Sequence, residues 1–460
     1  MFTSAVPHRA APVLSLTGSR PYRRTPMNQS RRPPAAPPAL RPGRSLAPDL
    51  ARGFMLLFIA LVNAQFFLTH PDTVRTLTDQ VLVFVQSTLV SGRAIPLFSL
   101  LFGYGTVWIM RRVVESGGGW VHARVVLRRR GLWMLVIGFL HGVLFLPVDI
   151  IGAYGLGLLL FVGFLRARDS VLLWSAGIFA LASTALNTAL GLSDAFNTAP
   201  GAEEPAAAVP SLVETGFLSA ASERFAEWTL YTPVTLLFVV MPPMLLGMWA
   251  GRRGLLERPR EHRALLVRVA VIGLGVAVAA GLPDALVTAQ FLPEPDPAVL
   301  VSLWIVHDAA GWAGGPGWAA VIALVALYLT ERAAGRAGGT TGSGNRSGGG
   351  GHGSGLVTVD GSTGSPGPVA IAIAAVGERS MSCYLAQSVV FTLVFAPYGL
   401  GLGATASASA AVLVAVCTWA LTVVLAEVSR RFGVRGPAEV VLRKLTYART
   451  YLPSSRPGRN

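Results

Sequence analysis

From Asp49 onward the chain is built of apolar runs, most near twenty residues long and almost free of charge, separated by short segments in which arginines collect. That pattern leaves few folds open. A helix rises ~1.5 Å per residue, so roughly twenty apolar residues match the ~30 Å hydrocarbon layer of a bilayer. In lipid every backbone N–H and C=O must be satisfied within the protein, which selects helices over isolated strands. Composition agrees: 52% of the residues are hydrophobic and 13% are charged, about half the charged share of a soluble domain. Mean hydropathy is +0.55. The expected fold is an all-α, polytopic transmembrane helix bundle of about ten spans, with the lipid bilayer as its first partner.

The net charge of +15 would suit a nucleic-acid binder, but its placement does not. Arg111–Arg130 holds six arginines and one glutamate, and Arg252–Arg268 and the C-terminal segment from Arg430 are also basic. The segment after the fifth span instead carries Asp194, Glu203, Glu204, Glu214, Glu223 and Glu227 against the single Arg224. Basic loops on one side and acidic on the other follow the positive-inside rule. No nucleic-acid recognition motif accompanies the charge. The reading is a multi-pass protein of the bacterial inner membrane, with cytoplasmic N- and C-termini and no nucleic-acid partner.

Five segments follow. Residues 1–45 form a basic Pro/Arg-rich tail, 46–332 hold eight spans, and 333–367 form a Gly/Ser-rich linker. Residues 368–447 add two spans and a C-terminal motif, and 448–460 are a basic tail. The first span covers Asp49–Leu68. The second lies within Leu77–Met110, too long for one simple crossing; with Gly92, Arg93 and Pro96 in its middle it reads as a kinked helix or as an interfacial segment feeding a span near Ile95–Met110. The third (Gly131–Leu146) and fourth (Ile151–Leu165) pair tightly around Pro147-Val148-Asp149. Ala298–Thr330 reads as one crossing near Ala313–Thr330, because two cytoplasmic ends require an even number. The ninth span is Val369–Phe395 and the tenth Ser407–Glu427. Val62-Asn63-Ala64 also fits a signal-peptide cleavage site, which would leave nine spans.

Five blocks in fixed order resemble a known family. They are Asp49-Leu50-Ala51-Arg52-Gly53-Phe54 with Asn63; Gly92-Arg93 with Leu97–Gly105; Gly138-Phe139-Leu140-His141-Gly142 with Asp149 and Tyr154; Val376-Gly377 with Ser382, Tyr384-Leu385 and Gln387-Ser388; and Gly436-Pro437-Ala438-Glu439 through Tyr447. Together they resemble the YeiB-type bacterial membrane proteins, domain-of-unknown-function family 418. Arg93 stands where that family often has Lys, Glu378 where a basic residue is usual, and Cys383 where Asn is usual. The family is remotely similar to transmembrane acyltransferases, some of which acetylate sugars across a membrane. The resemblance implies transfer of an acyl group from a cytoplasmic thioester to a hydroxyl acceptor on an envelope glycan, lipid or small molecule. Acyl-CoA would enter as a co-substrate, and no bound cofactor is expected.

Ionisable groups inside a bilayer are costly, so each is a candidate site residue. His141 is the expected catalytic base and Asp149 its orienting partner. Eight residues separate them, ~12 Å along a straight helix, so they meet only if the turn at Pro147 folds Asp149 back. Arg93 is expected to bind substrate as a counter-charge for an anionic donor. Asn63, Tyr384 and Gln387 are further substrate-binding candidates, with Tyr384 and Gln387 on one helix face. The same polar groups equally fit hydrogen bonds between packed helices. A small-molecule transporter or a non-catalytic membrane partner therefore stays open as an alternative.

Overall fold

A computed structural model describes residues 45–197, 209–340 and 366–448. The tail before Ser45, residues 341–365 of the linker and the tail after Ala448 lie outside the described residues, as do Glu203 and Glu204 of the acidic segment. Among the described residues there are fourteen α-helices and no strand. In chain order they are α1 (Leu46–Phe66), α2 (Leu77–Leu89), α3 (Ala94–Val113), α4 (Gly119–Leu144), α5 (Ile150–Phe161), α6 (Asp169–Asn197) and α7 (Phe217–Val234). After these come α8 (Met241–Arg253), α9 (Arg263–Thr288), α10 (Pro297–Thr340), α11 (Pro368–Glu378), α12 (Ser380–Phe395), α13 (Ala408–Arg431) and α14 (Pro437–Tyr447). Among the described residues seven helical stretches are long and apolar enough to cross a membrane, or eight if one bent pair counts as a span.

The surface is inverted relative to a soluble protein. On α6, Trp174, Ile178 and Leu181 form a stripe at helical spacing and are 75%, 63% and 72% exposed. Meanwhile Arg93, His141, Asp149, Arg224 and Gln387 are buried. Apolar residues outside and ionisable ones inside is the arrangement lipid favours.

Glycines set the close contacts that build the interior. A Cβ on Gly103 of α3 would strike the Met244 carbonyl, and one on Gly247 of α8 would strike the Leu100 carbonyl. The two helices therefore run antiparallel with backbones in contact, as small residues permit in membranes. Similarly, Gly131 of α4 meets Gly155 of α5, and Gly138 meets Gly152. We expect Gly247→Val to force α3 and α8 apart. Overpacking of this kind costs about 1–3 kcal/mol or more, visible as a lowered Tm in detergent.

The second predicted span is broken where expected, into α2 and α3, at Gly92 with a φ of 71°. Two expectations need revision. The predicted loop Arg111–Arg130 is mostly helical: α3 continues to Val113 and α4 starts at Gly119. The reversal is confined to Val114–Gly118 and the first residue of α4, with Gly117 at φ 86° and Gly119 at φ 63°, a region closed to most side chains.

The ninth predicted span is not continuous, since α11 and α12 meet at an 84° bend. The bend is fixed by charge. Arg379 donates to the carbonyls of Ala375 and Val434. Glu439 of the C-terminal motif accepts from the backbone N–H groups of Met381 (2.8 Å) and Ser382 (3.2 Å), capping α12. Ser382 also donates its hydroxyl to Glu439, tying α12 to the C-terminal motif. Ala298–Thr330, by contrast, lies in the single helix α10.

Candidate functional site

The α4–α5 turn brings together the two residues that eight positions of sequence separate. His141 lies in the last turn of α4, and Asp149 is the N-cap of α5. Their side chains meet at 2.8 Å between Nδ1 and Oδ1, and are 1% and 0% exposed. Asp149 also accepts from the backbone N–H groups of Ile151 (3.2 Å) and Gly152. The positive end of α5 thus stabilises the carboxylate, and the carboxylate orients the imidazole. Gly138 is what admits Asp149 so closely, since a Cβ there would strike Oδ2.

A carboxylate accepting from Nδ1–H leaves Nε2 with its lone pair free. Among the described residues His141 Nε2 is buried without a hydrogen-bond partner, and so are both amide atoms of Gln387. Such atoms are costly to leave unpaired and mark where a ligand or water would be accepted.

Tyr384 of α12 stacks obliquely on the imidazole, with ring centroids 5.0 Å apart. Its hydroxyl is held by the Asn63 side chain of α1 and the Ile150 backbone. Tyr154 of α5 bonds Ser99 of α3 (3.1 Å) and lies flat on Phe102 at 4.2 Å. Phe98 packs edge-on against Tyr154 (5.1 Å) and reaches Tyr384 (6.3 Å). His141, Asp149, Tyr384 and Asn63 thus form one contact network, while Gln387 lies one turn from Tyr384 on α12.

Arg93 does not join this network. It is 0% exposed, and its guanidinium donates to the carbonyls of Ser91 and Ala277 and contacts His307 Nε2. His307 Nδ1 in turn meets Asp284 at 2.9 Å. Every partner is supplied by α9, α10 or the α2–α3 break, so these contacts tie the break to α9 and α10. Asp49 and Arg52, one turn apart on α1, pair at 2.6 Å.

Two contributors carried no sequence signal. Trp228 of α7 packs beside the pair, filling the space next to Gly142 and Gly152. Arg224 donates to the carbonyls of Leu144 and Phe145, just beyond His141, and to the Tyr398 hydroxyl. Both sit in a segment that reads only as acidic loop and span. Their partners are brought close by the folding of α7 against α4.

At the arginine-rich end a cavity of about 560 Å³ lies between α1, α3 and the α8–α9 connection, lined by Asp49, Arg52, Trp108, Arg111, Arg112 and Glu257 among others. A smaller one of about 240 Å³ shares Arg52, Gly105 and Trp108 with it and extends to Phe98, Phe102 and Arg130.

Helices of this length and apolarity, with ionisable groups buried among them, define a multi-spanning helical membrane protein. Residues 357–449 match the model of the family described as Protein of unknown function (DUF418), the family that the five sequence blocks resemble. Over 427 residues the chain is 24% identical to the uncharacterized protein YxaH of Bacillus subtilis (strain 168), covering 87% of this chain and 93% of that protein. Over 133 residues it is 32% identical to an uncharacterized 39.9 kDa protein encoded in the amylase 3' region of Bacillus acidopullulyticus, covering 29% of this chain and 37% of that protein.

Proposed function

We propose that this protein is a membrane-embedded acyltransferase of the bacterial inner membrane, with His141 as general base. The observation that carries this reading is the buried Asp149–His141 pair with Nε2 open. In the reaction, Nε2 accepts the proton of an acceptor hydroxyl as the hydroxyl oxygen attacks the thioester carbonyl. The C–S bond then breaks, and the leaving thiolate takes that proton back from the imidazolium. Asp149 fixes the reactive tautomer and stabilises the imidazolium. The Tyr384 hydroxyl, held by Asn63, and the Gln387 amide are the groups offered to the acyl oxygen or the acceptor.

Ten crossings with both ends in the cytoplasm fit this reading. The stretch Leu77–Leu144 folds back at Gly117–Gly119, so it supplies two crossings. The bent pair α11–α12 supplies one more, as does the short apolar stretch Ile150–Arg166. The arginine-rich end is then cytoplasmic, and the His141–Asp149 pair lies at the far end of α4.

Purified protein in nanodiscs, given acyl-labelled CoA and a panel of sugar, glycolipid and small-molecule hydroxyl acceptors, is expected to release CoA and form a labelled ester. Movement of a solute across vesicles containing the protein, with no acyl transfer to any acceptor, would overturn the enzyme in favour of a transporter.

A further inference from the structure

The larger cavity at the arginine-rich end has chemistry of its own. Four guanidinium groups line it, those of Arg52, Arg111, Arg112 and Arg258, against the carboxyl groups of Asp49, Glu115 and Glu257. The four arginines outnumber the three carboxyl groups. Asp49 neutralises Arg52 at 2.6 Å, while burial pushes the Glu257 carboxyl above its ordinary range. Arg258 pairs with Glu261 at 3.1 Å, but both are more than half exposed, and such pairs are weak. Among the described residues Arg112 has no carboxylate partner; it lies over the Trp108 indole, 4.7 Å from the ring centroid.

Trp108 is itself 47% exposed, leaving aromatic surface for a planar ring. Glu257 Oε2 is buried with no hydrogen-bond partner among the described residues, a place for a hydroxyl or amino group. The segment bearing Glu257 is pinned by the Tyr104 hydroxyl, which accepts from the Leu256 (3.0 Å) and Glu257 (3.2 Å) N–H groups. Guanidinium groups for phosphates, an indole for stacking and a carboxyl for a polar edge together describe a nucleotide. The volume, about 560 Å³, is in the range of small-molecule sites.

We propose that this cavity binds the nucleotide diphosphate end of an organic phosphate ligand. The smaller cavity shares Arg52, Gly105 and Trp108 with it and is lined also by Phe98 and Phe102, which pack on Tyr154, and Phe98 also reaches Tyr384 beside His141. A ligand held by its phosphates at the cavity mouth would thus point its far end toward the His141–Asp149 pair. That the far end carries an acyl thioester rests on the acyltransferase reading; the binding does not.

The test is calorimetric titration of full-length protein in neutral phosphatidylcholine nanodiscs with coenzyme A, ADP and inorganic pyrophosphate, repeated in nanodiscs containing phosphatidylglycerol. Coenzyme A and ADP are expected to bind more tightly than pyrophosphate. Arg112→Gln should weaken both by about tenfold, and Trp108→Leu should weaken them without changing pyrophosphate. Both side chains are exposed, so an unchanged Tm would confirm that these variants fold. His141→Ala should bind coenzyme A as the parent does. ADP binding no tighter than pyrophosphate, or no nucleotide binding and only an anionic-lipid effect, would overturn the proposal, the latter making the cavity a lipid headgroup site. Coenzyme A binding without acyl transfer to any acceptor would leave the nucleotide site standing and remove the acyltransferase.

Discussion

His141→Ala is expected to reduce CoA release from labelled acyl-CoA by about 10²–10⁴-fold, the usual contribution of a general base. The histidine is the one group in the network whose free nitrogen combines basicity with an unpartnered position. Asp149→Asn separates its two roles. An asparagine still accepts from the Ile151 and Gly152 N–H groups and so keeps the α5 cap. It loses the negative charge that fixes the Nδ1–H tautomer and stabilises the imidazolium, so we expect activity to fall steeply with little change in Tm. Tyr384→Phe should fall less, because it removes a hydroxyl and keeps the ring 5.0 Å from the imidazole. Full turnover in His141→Ala, with the fold intact by size-exclusion and thermal melting, would rule out this base.

Arg93→Leu is expected to be the most destabilising single change, by about 3–5 kcal/mol, the range for removing one partner of a buried ion pair. It would strip the His307–Asp284 pair of its third member, leave the Ser91 and Ala277 carbonyls without their donor, and loosen the α2–α3 break from α9 and α10. Arg93→Lys should recover only part of that loss, because one ammonium cannot reach partners arranged for a planar fork. The measurement is Tm in detergent with and without added lipid. Because Arg93 touches neither cavity nor the His141 network, coenzyme A binding by the folded fraction should be unchanged.

Much of the architecture was legible because lipid imposes a simple rule on sequence. Apolar runs of bilayer length, separated by basic and acidic segments, place the helices, and the kink at Gly92-Arg93 and the tight pair around Pro147 are where expected. The misreadings have a common cause. Arg111–Arg130 is rich in charge and glycine and reads as loop, yet arginines are good helix formers and three glycines suffice for the reversal. Val369–Phe395 is apolar throughout and reads as one span, yet it is bent by Glu439, some sixty residues downstream.

The candidate site divides in the same way. His141 and Asp149 stand out in sequence because ionisable groups in an apolar run need a reason, and the turn at Pro147 hinted at their meeting. Arg93 stands out for the same reason, but its partners Asp284 and His307 lie about two hundred positions away, and no local pattern links them. Trp228 and Arg224, which flank and brace the pair, are ordinary residues of another helix. The sequence by itself determined that this chain is a bundle of apolar helices with a few buried ionisable side chains, because hydropathy and charge act locally along the chain. Only the tertiary structure decided which of those side chains face one another, because that depends on helix contacts made possible by distant glycines, and it separated the His141–Asp149 pair from the Arg93 contacts.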